Sequence, residues 1–455
     1  MKAYIRGIHP KYYKITRKDK TEVAPMPKKV ILPLQQHTGA PCQELVKAGD
    51  EVKVGQKIAM SDSFVSAPIH ASISGKVIGI EKARHPVLNE CKAIIIESNG
   101  KIEWDGSIKD RGDAGRLGKD DLRGIIREMG IVGLGGAGFP THVKLSPPPE
   151  KKIDTVILNG AECEPYLTCD YRVMLEHTER IIKGLQVIRK ILEPKQSYIG
   201  IEDNKENAIA LLEDKLEEMG LQDRIEVIRL KTIYPQGAEK NLIYSITQRK
   251  VPNKGGLPMD VGVAVQNVQT VKAIYDAVYE CKPLIERVVT VTGAVKRPKN
   301  LLVKIGTPAR EIIEFCGGYE DSTGKIIFGG PMMGIAQYDD DVPLIKGSSG
   351  ILVQKEEIIK DEERDCIRCG RCIDKCPMSL MPTMISQYAQ KDDLEKCSEY
   401  SALDCYECGC CSYVCPSKIP LVHWIKYAKS RIIASRKRES KEKNMKKPGT
   451  GENKK

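Results

Sequence analysis

The sequence is poor in long apolar runs and in aromatic residues. No apolar run reaches the roughly 18 residues that a membrane-spanning helix requires. No apolar segment follows residues 1–6, so we expect neither a spanning helix nor a signal peptide. The 16 cysteines are then expected to be thiols or metal ligands in a reducing compartment, not disulfides. Aromatic residues make up 5% of the chain and do not alternate with basic ones, which argues against a nucleic-acid-binding face.

Positive charge is concentrated at the two ends of the chain. The net charge is +11, of which residues 426–455 contribute +9 and residues 1–30 contribute +7, so the remainder is acidic. We expect residues 1–30 to form a basic arm and residues 431–455 to form a basic, disordered tail. Docking to an anionic membrane face or to an acidic partner is the alternative that stays open. The length of 455 residues suggests about three domains.

Eight cysteines near the C-terminus form two runs with the same spacing, C-x2-C-x2-C-x3-C-P. Three thiolates of such a run hold three corners of an iron–sulfur cube, and the fourth thiolate ligates the other cube. The prediction is therefore two [4Fe–4S] clusters with crossed ligation. One is held by Cys366, Cys369, Cys372 and Cys415, and the second is held by Cys405, Cys408, Cys411 and Cys376.

Structural zinc is the alternative for these cysteines. Zinc sites usually use two separated C-x2-C pairs that close one tetrahedron, and the doubled run fits that pattern poorly. Cys397 and Cys410 are left over by a count of eight ligands, and the use of Cys410 would break the spacing. We expect Cys410 to be a packed or exposed free thiol.

Residues 31–105 contain short alternating strands separated by glycine turns, which predicts a small β-sandwich. They resemble the barrel-sandwich modules of the biotinyl and lipoyl carriers, which place a modified lysine in a hairpin. The matching turn here, MSDSF at 60–64, contains no lysine. We therefore interpret this module as a scaffold without a swinging arm.

Residues 113–283 alternate strands with amphipathic helices, which predicts a parallel sheet covered by helices. The predicted strands are 155–159, 198–201 and 225–230, and the predicted helices lie around 122–129, 174–192, 204–219, 237–249 and 267–281. Residues 284–345 predict a small α+β unit. Residues 358–430 predict a helical cysteine-rich domain, because the 28 residues between the two cysteine runs carry apolar residues at helical spacing.

Four segments of the central region suit a flavin, the cofactor that converts two-electron into one-electron transfer. The first is GIVGLGGAGFPT at 130–141, whose backbone N–H groups can approach a phosphate or a flat ring, and Lys144 follows it. The others are NGAECEP at 159–165, YPQGAEK at 234–240 and NVQT at 267–270, at strand ends or a helix start. Each segment also has an interpretation as turn or capping chemistry.

In this order, the four segments resemble the flavin-bearing, NADH-oxidising subunit of respiratory complex I. Over about residues 1–430, the chain resembles the C subunit of the Rnf electron-transport complex more closely. The resemblance implies a multidomain α/β protein with an N-terminal β barrel-sandwich module, a Rossmann-like parallel α/β flavin/NADH domain, a small β-grasp domain of the soluble-ligand-binding type and a helical two-cluster ferredoxin domain. It implies FMN contacts from Gly133, Gly135, Gly136, Lys144, Asn159, Glu162, Asn267 and Thr270. It implies that Phe139, Glu164 and Glu239 lie beside NAD(H).

Five positions depart from the complex I pattern. Leu134 replaces an arginine, Ala161 an aspartate, Cys163 a serine, Ala238 a glutamate and Gln269 another glutamate. The contacts of those side chains are lost or altered, so the expected flavin binding depends mainly on the backbone and on Asn159, Glu162 and Lys144.

The resemblance implies an NADH-dehydrogenase-type subunit of a membrane-bound, ion-translocating ferredoxin:NAD+ oxidoreductase. It would exchange electrons between NAD(H), FMN and two [4Fe–4S] clusters, with no catalytic acid–base pair. The expected location is peripheral, on the cytoplasmic face of the bacterial cell membrane, and the expected partners are membrane subunits and a ferredoxin-like subunit. Two alternatives stay open: a soluble cobalamin reductase of similar architecture, and an electron-wire or scaffold subunit that binds no nucleotide.

Overall fold

The computed structural model describes residues 6–108, 114–356 and 362–445, with side chains described up to residue 439. The chain divides into two compact units. The larger contains residues 9–251 and 257–360, and the smaller contains residues 361–455 with the short segments 5–8 and 252–256. Residues 1–5 of the predicted arm, the predicted start of the cysteine-rich domain at 358 and residues 446–455 of the predicted tail lie outside the described residues.

The N-terminal part of the larger unit is a β-sandwich, as predicted. The short strand β1 (Glu22–Val23) precedes the sandwich, whose own strands are β2 (Lys29–Pro33), β3 (Gln43–Glu44), β4 (Glu51–Val52), β5 (Lys57–Met60), β6 (Ile69–His70), β7 (Gly75–His85) and β8 (Asn89–Ser98). One antiparallel sheet has the order β2-β8-β7-β4, and a smaller sheet has the order β3-β5-β6. Val30, Leu32, Ile94 and Ile96 are fully buried and belong to the main apolar core of the larger unit.

From residue 9 onward, the predicted basic arm is part of the larger unit and does not extend away from it. Its strand β1 belongs to neither sheet of the sandwich and pairs in parallel with a strand near residue 301, in the domain that follows the central sheet. No sequence pattern indicated this pairing, because β1 has only two residues and its partner lies nearly 280 positions away. The arm therefore ties the start of the chain to the third domain of the larger unit.

The central domain is built on a parallel four-stranded sheet with helices packed on it. Its elements are α1 (Lys119–Glu128), α2 (Thr141–Lys144), β9 (Thr155–Asn159), α3 (Cys169–Glu176), α4 (Thr178–Leu192), β10 (Gln196–Glu202), α5 (Glu206–Glu218), β11 (Glu226–Leu230), α6 (Glu239–Thr247), β12 (Val263–Asn267) and α7 (Val268–Tyr279). The strand order is β11-β10-β9-β12, with every neighbouring pair parallel. Residues Val156 and Leu158 of β9 are fully buried.

Two features of this domain differ from the prediction. The helix expected around 174–192 is divided at His177 into α3 and α4. The edge strand β12 was not predicted, because a run of five residues ending in Gln266 and Asn267 gives a weak strand signal. This strand matters for the site, since its register places Asn267 directly beside Asn159 of β9.

The third domain of the larger unit is a mixed six-stranded sheet. It contains β13 (Glu286–Gly293), β14 (Lys299–Lys304), α8 (Ala309–Phe315), β15 (Thr323–Phe328), β16 (Ile335–Ala336) and β17 (Gly350–Lys355). The strand order is β1-β14-β13-β17-β15-β16. The predicted α+β unit is therefore present, but β17 carries it beyond the expected boundary at 345, and β1 supplies an edge strand.

The smaller unit is helical and holds both cysteine runs. Its helices are α9 (Arg371–Asp374), α10 (Pro382–Gln390), α11 (Leu394–Glu399), α12 (Cys410–Tyr413) and α13 (Leu421–Met445). Ile385, Ile425 and Ala428 form the centre of its apolar core. Two distant segments belong to the same unit: Arg6 donates to the Ser379 hydroxyl at 3.1 Å, and the backbone N–H of Lys254 donates to Asp404.

The predicted disorder of the tail from residue 431 is wrong up to Met445, because α13 is continuous to that residue. The sequence 421–445 contains many Lys, Arg, Glu and Ala residues, which favour helix, and no proline or glycine interrupts it. Charge alone therefore misled the prediction. In the part of the chain that the structure describes, no helix is both long and apolar enough to cross a membrane.

Candidate functional site: a flavin cradle and two cysteine sets

The glycine-rich segment after α1 forms a tight loop. Val132 pairs with Pro140, and the Gly133 N–H donates to the Phe139 carbonyl at 2.9 Å, so the loop closes on itself. Gly135 and Gly136 are exposed at its tip. A Cβ atom at Gly136 would meet nothing within 4 Å. The loop thus presents bare backbone to an open space, which suits the close approach of a phosphate or a flat ring.

Three contacts hold the glycine loop in place. The Thr270 hydroxyl accepts from the Leu134 N–H at 2.9 Å, and the Arg287 guanidinium donates to the Leu134 carbonyl at 3.2 Å. The Thr38 hydroxyl donates to the Ala137 carbonyl at 2.7 Å. Arg287 is buried, which lowers its pKa. Sequence reasoning missed Arg287, because a single arginine in the apolar strand β13 reveals nothing about a loop 150 residues away.

The start of α7 lies directly under this loop. A Cβ atom at Gly135 would come within 2.9 Å of Asn267, so only glycine fits there without movement. The Asn267 side chain accepts from the backbone N–H groups of Gln269 and Thr270 and so caps the helix. Its amide also donates to Asp170 at 2.6 Å, and the Gln269 amide donates to the other Asp170 oxygen at 2.8 Å. Asp170 was not predicted as part of the site.

The turn after β9 contributes a buried carboxylate. Asn159 holds the turn by accepting from the Ala161 N–H at 3.2 Å and donating to the Gly237 carbonyl at 2.9 Å. Glu162 has a positive φ of 46°, and its Oε1 accepts from the Asp170 N–H at 2.7 Å. Its Oε2 is buried without a hydrogen-bond partner among the described residues. Burial raises the pKa of Glu162 to about 7.

Lys144 and Glu239, which the sequence assigned to different ligands, pair with each other. The Lys144 ammonium donates to Glu239 at 2.8 Å and to the Val265 carbonyl at 3.0 Å. Both side chains are partly exposed, at 30% and 39%, so this pair remains accessible to a ligand.

Glu164 has a different environment. Its carboxylate accepts from the Met333 N–H at 2.8 Å and from the Met332 N–H at 3.2 Å, in a loop of the third domain. Burial raises its pKa to about 7. The side chain of Phe139 is partly buried beside the glycine loop. The roles of Glu164, Phe139 and Glu239 toward a nicotinamide nucleotide stay predictions.

The predicted flavin residues other than Lys144 therefore form one connected group. The loop glycines rest on Asn267 and Thr270, Asn267 is linked through Asp170 to Glu162, and Asn159 lies beside Asn267 at the carboxyl edge of the sheet. Ligands of parallel sheets collect at this edge. The bare loop tip and the unpartnered Glu162 oxygen are features that a flavin nucleotide would satisfy, so the residues present fit FMN.

Five cysteines of the smaller unit line one pocket: Cys376, Cys405, Cys408, Cys410 and Cys411. The four of them that the sequence predicts as ligands, Cys376, Cys405, Cys408 and Cys411, are named the buried set. The pocket has an empty volume of about 330 Å³ including its open mouth, and Leu380 and Ile425 form part of its wall. The pKa of Cys405 is raised to about 12 by burial and by the neighbouring Cys408 and Cys376. The fourth cysteine of the first run thus lies with the first three of the second run, as crossed ligation requires.

The remaining four cysteines, Cys366, Cys369, Cys372 and Cys415, are named the exposed set. Cys366 and Cys369 are exposed, and Cys372 and Cys415 are half-buried. Cys372 and Cys415 pack on the same small apolar cluster of Cys411, Ile419 and Leu421. This contact brings the last cysteine of the second run to the third cysteine of the first.

The surplus cysteines are packed thiols. Cys397 is fully buried and donates to the Ile385 carbonyl at 3.5 Å. Cys410 is also fully buried, at the start of α12, and lines the pocket of the buried set. It lies within hydrogen-bonding reach of Cys408, a contact that raises its pKa.

The spacing of the thiols does not fit a single zinc ion. Thiolates on one zinc ion lie about 4 Å apart, because each Zn–S bond is about 2.3 Å. Among the described residues, no three cysteines have their sulfur atoms within 4.8 Å of one another. Glu162, Cys169 and Asp170 do approach this closely. However, the Cys169 thiol donates to the Ser349 carbonyl, and both Asp170 oxygens accept from amides.

Family models match most of the chain in four consecutive pieces. They are the RnfC barrel-sandwich hybrid domain over residues 2–101, the Nuo51 FMN-binding domain over 126–276, the SLBB domain over 288–336 and a 4Fe-4S dicluster domain over 365–419. The chain thus carries an FMN-binding domain and a domain for two [4Fe–4S] clusters, as the geometry indicated.

Two curated relatives match nearly end to end. The C subunit of the proton-translocating ferredoxin:NAD(+) oxidoreductase complex of Clostridium ljungdahlii is 52% identical over 96% of both chains. The C subunit of the Na(+)-translocating complex of Acetobacterium woodii is 46% identical over 95% of this chain and 97% of its own.

A solved structure shares the fold. The H2-reduced NAD+-reducing [NiFe]-hydrogenase matches with a TM-score of 0.51 at 16% identity, over 71% of this chain and 62% of the other. This chain therefore spans less than two thirds of that protein, and the match concerns the fold alone. The end-to-end identity with the curated relatives and the four family models give the conclusion: the chain belongs to the family of C subunits of ion-translocating ferredoxin:NAD+ oxidoreductase complexes, the Rnf family.

Proposed function

We propose that this chain is the NADH-dehydrogenase-type subunit of a membrane-bound, ion-translocating ferredoxin:NAD+ oxidoreductase complex. It passes electrons between NAD(H), FMN and two [4Fe–4S] clusters. The observation that carries the proposal is the 52% identity over 96% of the chain to a subunit of such a complex, in a chain that has both an FMN-binding domain and a dicluster domain.

In this proposal the flavin is held at the carboxyl edge of the central sheet. Gly133, Gly135 and Gly136 supply bare backbone, and Lys144 supplies positive charge for a phosphate. The rest of the proposed flavin site is formed by Asn159, Glu162, Asn267 and Thr270. FMN, when bound, supplies the conversion between two-electron hydride exchange and single-electron transfer.

The nicotinamide nucleotide is proposed to lie on the side of Phe139, Glu164 and Glu239. The hydrogen bonds from the Met332 and Met333 N–H groups to the Glu164 carboxylate hold this side of the site in place. Glu239 is partly exposed and held by Lys144, so its free oxygen can accept from ribose hydroxyls. No side chain of this group needs to transfer a proton, because hydride exchange requires stacking of two rings.

The ion pathway is assigned to other subunits. The names of the relatives divide between proton and Na+ translocation. In the described residues, no helix of this chain could span a membrane. We place the chain at the cytoplasmic face of a bacterial membrane, bound to membrane subunits and to a ferredoxin-like subunit that exchanges electrons with its clusters.

The test of the flavin cradle is Gly136→Val in the full-length protein. The backbone of Gly136 is not in the left-handed region, and a Cβ there meets open space, so the variant should fold. The valine side chain would occupy the space of the flavin. We expect FMN occupancy to fall by about tenfold or more, while iron per chain stays unchanged. FMN is measured by fluorescence after acid release, and iron by colorimetry.

Gly124→Val is the matched control. Gly124 lies on the exposed side of α1, and a Cβ there also meets nothing within 4 Å. This control should keep both FMN and iron. Full FMN occupancy in Gly136→Val would show that the glycine loop is not part of the flavin site.

A further inference from the structure

Part of the N-terminal arm lies along the turn that carries Glu162. We name residues 12–17 the N-terminal strap. The Tyr12 carbonyl accepts from the Tyr166 N–H at 2.7 Å, and the rings of Tyr13 and Tyr166 stack with centroids 5.1 Å apart. The hydroxyls of Thr16 and Thr168 are 2.6 Å apart. The strap is thus fixed at three points to residues 166–168 of the central domain.

Lys14 is the centre of this contact. Its ammonium donates to the carbonyls of Glu162 at 2.9 Å, Glu164 at 3.0 Å and Leu167 at 2.5 Å. An ammonium has three hydrogens, so all of its donors are used on the turn. It also lies 3.8 Å from Glu162 Oε2, the oxygen without a hydrogen-bond partner. Lys14 is 12% exposed and Glu162 is 3% exposed, so water screens this pair weakly.

The other charges near Glu162 do not replace Lys14. Asp170, which donates its N–H to Glu162, carries a negative charge that opposes ionisation of Glu162. Lys205 donates to the Ala161 carbonyl and is paired with the buried Glu202 at 3.2 Å. Lys14 lies 3.8 Å from Glu162 Oε2 and lowers the pKa of Glu162 more strongly than Lys205, the other cation that does so.

We propose that Lys14 is a positioning residue of the flavin site: its ammonium fixes the 162–167 turn and keeps the Glu162 carboxylate charged, so that Oε2 is presented as an acceptor to the bound flavin. The proposal rests on the proposed function, because it requires FMN in the cradle. The N-terminal arm then belongs to the redox site and is more than a basic extension.

The pH dependence has a definite sign. Burial raises the pKa of Glu162 to about 7, and Lys14 counteracts part of this rise. Removal of the ammonium must raise that pKa further. The carboxyl group would then be mostly protonated at neutral pH and would be a weaker acceptor toward the flavin. The defect should be largest at low pH and should shrink as the pH rises through the new pKa.

The experiment uses the full-length protein, stripped of flavin and titrated with FMN between pH 6 and pH 9. Quenching of FMN fluorescence gives the dissociation constant, and iron per chain reports folding. Lys14→Met should raise the dissociation constant at pH 7 by about tenfold. It should also move the pH at which binding weakens upward by about one unit. Lys14→Arg should restore most of the affinity, because it keeps the charge. Lys18→Met is the matched control, an exposed lysine four residues along, and should behave as wild type.

A double variant tests whether Lys14 acts through the charge of Glu162. Glu162→Gln cannot titrate, so adding Lys14→Met to it should produce no further shift in the pH profile. A further shift, or a wild-type constant and pH profile in Lys14→Met alone, would overturn the proposal while leaving FMN binding intact. Loss of affinity in Lys14→Arg equal to that in Lys14→Met would also overturn it. Failure of the wild-type protein to bind FMN at all would refute the proposed function instead.

Discussion

The buried set and the exposed set of cysteines share one backbone design and differ in their surroundings. In both runs, a residue with positive φ precedes the second cysteine, Arg368 at 55° and Glu407 at 61°. A left-handed glycine follows it, Gly370 at 73° and Gly409 at 77°. The local ligand geometry therefore comes from the repeated sequence itself.

The two sets differ in how deeply their cysteines are buried. Cys376, Cys408 and Cys411 of the buried set are each 7% exposed, whereas Cys366 and Cys369 of the exposed set face solvent. The buried set packs against the core formed with α10, α11 and α13, and the exposed set has only a small apolar cluster behind it. Solvent exposure is one of the factors that set the potential of an iron–sulfur cluster. The flanking helices, and not the motif, should make the two clusters differ.

The largest expected effect comes from breaking one set at a time. Cys366→Ala and Cys415→Ala should each remove the cluster of the exposed set, although the two residues belong to different runs. Cys376→Ala and Cys408→Ala should remove the cluster of the buried set. Each variant should lose about half of the iron. Electron paramagnetic resonance of the reduced protein should show the same signal missing within each pair. Different missing signals for Cys366→Ala and Cys415→Ala would show that the ligation is not crossed.

A smaller difference is expected in chemical lability. Oxidation by ferricyanide with a chelator present should release iron in two phases, with the exposed set lost about tenfold faster or more, because its thiols need no local opening to be reached. The wild-type protein and the Cys415→Ala variant form the comparison, since the variant should lack the fast phase. Release in a single phase from the wild type would contradict the assignment of different protection to the two sets.

The smallest effect concerns a position at which the two repeats differ in burial. Cys410 and Arg371 occupy the same place after the left-handed glycine, yet Cys410 is fully buried and Arg371 is exposed. Cys410→Ala should lower the free energy of unfolding by about 1 kcal/mol, whereas Arg371→Ala should stay within about 0.5 kcal/mol of wild type. Anaerobic thermal unfolding measures the stability of both variants. An iron assay of the folded proteins should show that both keep all of their iron. Iron loss in Cys410→Ala alone would make Cys410 a ligand.

Local features were predictable from the sequence, and tertiary ones were missed. The cysteine spacing predicted two sets of four thiols, and Cys376 does line one pocket with Cys405, Cys408 and Cys411. The crossed ligation itself stays a prediction. Strand β9 was predicted at its observed bounds, since TVILN is a short buried run ended by a polar residue. The edge strand β12 was missed, and with it the register that sets Asn267 beside Asn159.

Four contributors to the flavin cradle had no sequence signal. Asp170, Arg287 and Thr38 act through contacts with residues far along the chain, and Lys14 reaches the Glu162 turn from nearly 150 positions away. A charged residue in a basic arm is usually solvated, so its burial follows only from the fold. The helix over residues 431–445 was missed because the prediction gave more weight to the charge of the segment than to its local helix propensity.

One measurement tests the central claim most directly. The full-length protein, purified without oxygen and with its iron content verified, is mixed with NADH and followed by absorbance and electron paramagnetic resonance. We predict bleaching of a flavin band, with reduced-cluster signals appearing only in protein that contains FMN. A protein with full iron that shows no flavin band even after incubation with excess FMN would contradict the account. It would leave the alternative of an electron wire that binds no nucleotide.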